Sequence, residues 1–231
     1  MATQKKLALI GYGKMGRLID QMASEYGFEV VARVDIGDEK PRFGECDVAI
    51  EFSTPQAAPD NLRRLAELQL PAVSGTTGWF EHLPSVSEAV RRNNTGLVWS
   101  PNFSVGVAVF RRLVGLAAEL LKDEIEYGAW AWEIHHATKQ DAPSGTLLQL
   151  VDTMREHGYE RNIDASASRA GKHPGTHEIG FDSSADTITL RHSARSREGF
   201  ARGALKSAKW IIGRKGVYTF DDVLFGAGNA T

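Results

Sequence analysis

The sequence has a single cysteine, Cys46, in 231 residues. No internal disulfide can form, and a cysteine-rich zinc site is excluded. Net charge is also scarce. The 27 Lys and Arg stand against 29 Asp and Glu, a formal −2, so no global field steers the chain onto nucleic acid. Long apolar runs are missing: nothing approaches the ~20 residues that a membrane helix needs. Met1–Lys6 lead into only Leu7–Ile10 before a glycine, too short for a signal-peptide core. A water-soluble, cytoplasmic protein without a nucleic-acid or membrane partner is expected. A 42% hydrophobic share with 24% charged residues is ordinary for a globular chain, and the length fits one large domain or two modest ones.

The first hundred residues alternate apolar runs with helical patterns. Leu7–Ile10, Phe28–Val34, Asp47–Phe52, Pro71–Ser74 and Gly96–Ser100 read as buried strands. Between them, Met15–Tyr26 places Met15, Leu18, Ile19 and Met22 on one helical face, another helix begins near Pro55, and a polar one lies around Glu81–Asn93. Strands alternating with helices predict a Rossmann-type parallel sheet. The pattern then changes. Val105–Leu121 is a long apolar helix and Tyr127–His136 a long strand, with Trp130, Trp132 and Ile134 on one face and Glu133 on the other. Thr146–His157 and Phe200–Ile212 read as helices; Thr176–Asp182 and Thr187–Ser193 read as a hairpin closed at Ser183–Asp186. This predicts a second α+β domain with a mixed open sheet. The expected division is residues 1–104, rejoined by 209–231, against 105–208.

Gly11-Tyr12-Gly13-Lys14-Met15-Gly16 matches G-x-G-x-x-G directly after a strand and at the opening of a helix, the context that marks a dinucleotide seat. Gly11 permits the tight turn, Gly13 leaves room for a pyrophosphate at the helix N-terminus, and Gly16 allows close helix–strand packing. Asp35 ends the second strand, where it can accept from a ribose hydroxyl. Lys14 and Arg33 stand close enough to serve a 2′-phosphate, so NADH and NADPH both stay open as the cofactor. Two further strand ends, Ser74-Gly75-Thr76-Thr77-Gly78 and Ser100-Pro101-Asn102-Phe103-Ser104, offer amides and small hydroxyls where a nicotinamide carboxamide would lie. Ser53-Thr54-Pro55 reads more simply as a helix cap with proline in the first turn.

The densest polar stretch is Glu133–Thr146. A strand ends on His135 and His136, Lys139 follows, and Pro143-Ser144-Gly145-Thr146 starts a helix. Free N–H groups at Ser144, Gly145 and Thr146, with the positive end of the helix dipole, suit a carboxylate. A cation and an imidazole beside them suit a small acidic substrate whose ring must be protonated. Zinc binding by His135 and His136 is disfavoured, since neighbouring strand residues point to opposite faces. No metal is expected.

The string Glu133-x-His135-His136-x-x-Lys139-x-Asp141-Ala142-Pro143-Ser144-Gly145-Thr146 resembles the signature of the dihydrodipicolinate (4-hydroxy-tetrahydrodipicolinate) reductase family of lysine and diaminopimelate biosynthesis. The resemblance runs along nearly the whole chain and takes in the glycine turn, Ser74–Gly78, Ser100–Gly106 and Arg191–Arg197. It implies NAD(P)H-dependent hydride transfer to a cyclic unsaturated dicarboxylate. It also implies a homotetramer built through the sheets of the second, substrate-binding domain. In it His135 is the acid/base group and Lys139 the proton donor, and His136, Gly145 and Thr146 hold the substrate carboxylates. The dinucleotide falls to Gly11, Tyr12, Gly13, Lys14, Met15 and Gly16, to Asp35, to Gly75, Thr76 and Thr77, and to Ser100, Pro101, Asn102 and Phe103. One departure is the short segment Ile36–Cys46, with Ile36 where some members carry an arginine. An imidazole at its ordinary pKa near 6.5 would exchange protons at neutral pH. The competing readings are a non-catalytic NAD-binding module and an aspartate- or homoserine-type dehydrogenase.

Overall fold

The computed structural model describes residues 4–35 and 43–226. Most of the short segment after Asp35 thus lies outside the described residues. In chain order the elements are β1 (Lys5–Ile10), α1 (Lys14–Ala23), β2 (Phe28–Val34), β3 (Val48–Glu51), α2 (Ala58–Glu67), β4 (Ala72–Ser74), α3 (Leu83–Arg92) and β5 (Gly96–Trp99). Then come α4 (Val105–Leu121), β6 (Gly128–His135), α5 (Gly145–Glu156), β7 (Ile163–Arg169), β8 (Thr176–Asp182), β9 (Thr187–Ser193), α6 (Glu198–Ile211), β10 (Gly216–Thr219) and α7 (Phe220–Phe225). They form two compact units, residues 1–105 with 198–231, and residues 106–197.

The first unit is a six-stranded sheet in the order β10-β5-β4-β3-β1-β2, every pairing parallel. Leu7, Val48, Val73, Leu97 and Val98 are wholly buried, as expected for strands covered on both faces. On one face Leu62, Leu65 and Ala66 of α2 and Val86, Ala89 and Val90 of α3 pack on Ala8, Ile10, Ala49, Ala72 and Leu97. The small residues Ala201, Gly203, Ala204 and Ala208 let α6 approach β3, β4 and β5 closely. A Cβ on Gly203 would stand 1.8 Å from the Phe103 carbonyl oxygen. The chain therefore returns to this unit at Glu198 rather than at 209: α6 buries its apolar stripe on the parallel sheet.

The second unit is the mixed sheet β7-β6-β8-β9, with β6 and β7 parallel and the rest antiparallel. Phe110, Val114 and Ala118 of α4 and Leu147, Leu150, Val151 and Met154 of α5 cover one face, over Ala129, Ala131, Ile179 and Phe181. Glu133 and His135 share that covered face, while Trp130, Trp132 and Ile134 point to the other and are half-buried. The Trp130 ring lies on Gly180, where a Cβ would come within 2.1 Å of it.

Two strands were not anticipated. β7 reads Ile-Asp-Ala-Ser-Ala-Ser-Arg, whose alanine–serine alternation carries little hydrophobic contrast. β10 is four residues long. The first helix also stops earlier than its apolar face suggests. A 3-10 turn follows at Ser24–Tyr26, and Gly27 at φ 81 closes it in the left-handed region.

Candidate functional site

The site residues fall into two groups, one in each unit. In the first, Gly11 sits at φ +86 with its Cα pressed on the chain after β3: a Cβ there would meet the Phe52 carbonyl oxygen at 2.1 Å. A Cβ on Gly16 would meet the Gly11 carbonyl oxygen at 2.2 Å. Its small size lets α1 lie close against the chain that leaves β1. Gly13 differs from both. Among the described residues, a Cβ there would meet no atom within 4 Å, so the space it leaves is open toward them. Gly13 is also the residue before α1, and the first turn of that helix holds no acidic side chain to offset its positive end.

That space belongs to a cavity of about 420 Å³ lined by Gly13, Lys14, Met15, Phe52, Ser53, Pro55, Gly75, Thr76 and Thr77. Glu51, wholly buried at the end of β3, stands behind two of the lining residues, Ser53 and Thr76. Its Oε1 accepts from the Ser53 N–H and Thr76 Oγ1, each at 2.9 Å, and from the Ser53 hydroxyl; Oε2 accepts from Ser74 Oγ at 2.7 Å. One carboxylate thereby ties the loops after β3 and β4 together. Gly75 is required by the Phe52 ring, which a Cβ would penetrate at 2.1 Å. Sequence reasoning missed Glu51 and took Ser53 for a helix cap. In the structure Thr54 supports the turn through Ala57 and Ala58, α2 starts only at Ala58, and Ser53 faces the cavity. A buried acid at a strand end beside three small hydroxyls was the available signal.

Ser100, Pro101, Asn102 and Phe103 do not line this cavity. Ser100 Oγ and the Asn102 side chain are spent on the loop itself. The Phe103 ring is core, between Phe52 and Phe220. Tyr12 does not line the cavity. Its hydroxyl donates to Asp20, which also receives Arg33 at 2.7 and 2.9 Å. Arg33, expected near a 2′-phosphate, is thus already engaged.

In the second unit a buried carboxylate again organises the group. Glu133 Oε1 accepts from the Ser144 N–H and from Arg169 Nη2, both at 2.8 Å. Oε2 accepts from the Ser144 hydroxyl and stands 3.3 Å from His177 Nε2. Burial alone would raise the pKa of Glu133, but His177, Ser144 and Arg169 together outweigh it and hold the carboxyl well below its usual range. The Ser144 N–H is therefore not free for substrate, a correction to the three-amide site. Ser144 also caps α5, its hydroxyl accepting from the Leu147 N–H at 3.2 Å. Gly145 and Thr146 open the helix beyond it.

His135 is buried, with Nδ1 3.5 Å from Glu133 and, among the described residues, without a hydrogen-bond partner, and its ring packs edge-on against His177. Nε2 faces Gly175, where a Cβ would intrude to 2.9 Å. Burial pushes the imidazole down to about 4, and His177, Lys139 and Arg169 add to this against the opposing pull of Glu133. The ring is neutral at pH 7, which corrects the expectation of proton exchange near 6.5. His136 Nδ1 meets Thr138 Oγ1 at 2.9 Å. Lys139 Nζ holds both oxygens of Asp141, at 2.7 and 2.9 Å. Asp141 is itself held below the ordinary carboxylate range, chiefly by Lys139 and in part by the Gly145 amide. A carboxylate of the chain thus occupies the place where lysine and helix N-terminus converge.

Glu133, His135 and His177 bring potential ligand atoms within 4.8 Å of one another. Four donors already serve the carboxylate, and the Arg169 cation among them opposes a second cation beside it. The first unit does suit a dinucleotide: an open glycine, an unopposed helix N-terminus and small hydroxyls meet at one cavity.

Comparison with known proteins follows the same division. The family model described as dihydrodipicolinate reductase, N-terminus, matches residues 5–103, and that described as dihydrodipicolinate reductase, C-terminus, matches 106–224. The 4-hydroxy-tetrahydrodipicolinate reductase of Christiangramia forsetii is 35% identical over 94% of this chain and 97% of its own length. That of Archaeoglobus fulgidus is 34% identical over 92% and 96%. Among solved structures, dipicolinate-bound dihydrodipicolinate reductase from Paenisporosarcina sp. TG-14 superposes with a TM-score of 0.77 at 23% identity, covering 94% of this chain and 97% of the other. Aspartate dehydrogenase from Thermotoga maritima shares the fold at a TM-score of 0.51 and 9% identity, covering 89% and 95%.

Proposed function

We infer the division of labour that follows from a plain fact: this chain belongs to the dihydrodipicolinate reductase family. It is a nicotinamide-dependent reductase of a dihydrodipicolinate-type substrate, and the readings as a non-catalytic module or an aspartate-type dehydrogenase give way to that assignment. When bound, the reduced nicotinamide supplies the hydride. What remains to the protein is to hold the ring, hold the dinucleotide and deliver a proton.

The observation that carries the reading is the docking of Asp141 on Lys139 at the start of α5. An internal carboxylate there is a stand-in for one from the substrate. The Gly145 and Thr146 amides and His136 hold the substrate carboxylates, displacing Asp141. Lys139, released from Asp141, gives a proton from Nζ to the ring position left electron-rich by reduction. Neutral His135 orients the ring by hydrogen bonding and is not the proton source. Gly13, Lys14, Ser53, Thr76 and Thr77 seat the dinucleotide, with Asp35 at the ribose. Asp35 and the engaged Arg33 favour NADH as the partner. The half-buried tryptophan face of the second sheet supports assembly into a homotetramer.

The test is single-turnover kinetics and dipicolinate binding for Lys139→Met and Asp141→Asn. Lys139→Met should slow turnover by ~10²-fold or more, in the range of a lost general acid. Asp141→Asn should bind dipicolinate more tightly than wild type. Unchanged turnover in the first variant, or weaker binding in the second, overturns the assignment.

A further inference from the structure

We propose that Asp20 sets the choice between NADH and NADPH by withholding Arg33 from the cofactor; this rests on the reading of the glycine turn as a dinucleotide seat. Arg33 and Asp35 are two residues apart at the end of β2. Alternation puts their side chains on one face, about 6.6 Å apart along the strand, and both are exposed. A guanidinium on its three-carbon stem spans that distance. Arg33 is also already beside the turn, its guanidinium carbon 5.9 Å from the centre of the Tyr12 ring. A ribose held by Asp35 would therefore carry its 2′ substituent within reach of Arg33.

Instead the fork is occupied. Arg33 Nε donates to Asp20 Oδ2 at 2.7 Å and Nη2 to Oδ1 at 2.9 Å, the bidentate geometry in which guanidinium–carboxylate pairs are strongest. The Tyr12 hydroxyl donates to the same carboxylate. Asp20 itself is mostly covered, with 17% of its side chain exposed against 46% for Arg33. The carboxylate is thus the fixed member of the pair and the cation the tethered one. Arg17 flanks the other contact of the ring, 5.9 Å from its centre, and donates to the Tyr12 carbonyl. Lys14 lines the cavity at the helix start, where a pyrophosphate belongs. A 2′-phosphate, with nearly two negative charges, would meet Asp35 and Asp20 before it met a free Arg33. A 2′-hydroxyl meets only an acceptor.

The experiment is fluorescence titration of the intact protein with NADH and NADPH at one fixed ionic strength, for wild type, Asp20→Ala, Asp20→Asn, Arg33→Ala and the double variant Asp20→Ala/Arg33→Ala. Wild type should bind NADH more tightly. Asp20→Ala and Asp20→Asn should each tighten NADPH binding about tenfold and leave NADH within about twofold. The double variant should return NADPH to the wild-type level, because Arg33 is the group released. Thermal melts of the same samples establish that each is folded. An unchanged NADPH affinity in both folded Asp20 variants overturns the proposal, as does a gain that survives in the double variant, or a wild type that prefers NADPH. Failure of wild type to bind either dinucleotide would instead overturn the reading of the seat itself.

Discussion

Replacing Arg169 by methionine isolates what the buried Glu133 network contributes. The guanidinium touches the carboxylate at 2.8 Å, donates to the Asp141 carbonyl and gives Nη1 to the Ser168 carbonyl at 2.7 Å. Removing one partner of a buried ion pair costs about 3–5 kcal/mol, because the other charge is stranded. Here Glu133 keeps both donors of Ser144, and the arginine side chain is 16% exposed, so the low end applies, about 3 kcal/mol. At roughly 2–4 °C per kcal/mol for a chain of this size, the melting temperature should fall by about 6–12 °C at pH 7. The sign with pH is fixed by linkage. In the wild type the carboxyl titrates below its unfolded value near 4.3, so its stabilisation is present above that pH and fades below it. Without Arg169 the folded-state pKa rises, and protonation relieves the stranded charge sooner. The gap between variant and wild type should therefore hold from pH 7 to about 4.3 and close only as pH falls further, through the variant's folded-state pKa. Adding Glu133→Gln should recover part of the loss at pH 7, since pair and charge then leave together. Calorimetry across that pH range checks all three. A variant melting within about 2 °C of wild type at pH 7, or a gap that does not change with pH, would refute the reasoning.

The two glycines of the turn should separate folding from binding. Gly11→Ala forces φ +86 on a side chain that would overlap the Phe52 carbonyl, and should cost more than about 2 kcal/mol of stability by thermal melt. Gly13→Ala meets no atom of the described residues and sits at φ −75, so the melt should stay within about 1 °C of wild type while NADH affinity drops at least tenfold. His135 should show no titration between pH 5.5 and 8, its ring resonances moving with a midpoint near 4. Because its folded pKa is depressed, the stability tied to its neutral form is whole above about 6.5 and drains as pH falls toward 4; His135→Gln should remove that part of the acid sensitivity. A midpoint above 6 would count against the burial argument.

Legibility in the sequence follows contrast between neighbouring residues. β8 and β9 have the limits read from the sequence, because a polar Ser183–Asp186 turn separates two β-rich runs. β7 was missed because alanine and serine differ too little in hydrophobicity to mark a face. Glycine positions were easy to find but their reasons were not. Gly16 serves the Gly11 carbonyl, Gly75 the Phe52 ring and Gly175 the His135 ring, and each of those partners is remote in sequence or sits across a turn. His135 and Lys139 were found as a cluster within one stretch. The depressed pKa of His135 was not legible, since it depends first on burial and then on charges that include His177 and Arg169, which arrive from β8 and β7. The same holds for Ser144: its amide faces a helix start in the sequence and a buried carboxylate in space.

The two units solve one problem with one device. In each, a wholly buried glutamate stands at or near the C-terminal end of a strand, Glu51 in β3 and Glu133 in β6, and gathers amides and hydroxyls from loops that must be held still. Burying a carboxylate is costly unless every lone pair is used, so such a group tolerates only one arrangement of its donors. That intolerance is what a site needs: a loop that drifts by an ångström leaves a charge unpaired. The two differ in what supplies the compensation. Glu51 is served by neutral groups alone among the contacts of its loops, whereas Glu133 has Arg169 and two imidazoles about it. Acid should therefore loosen the second unit through His135, which must take up charge in a buried setting as pH falls toward 4.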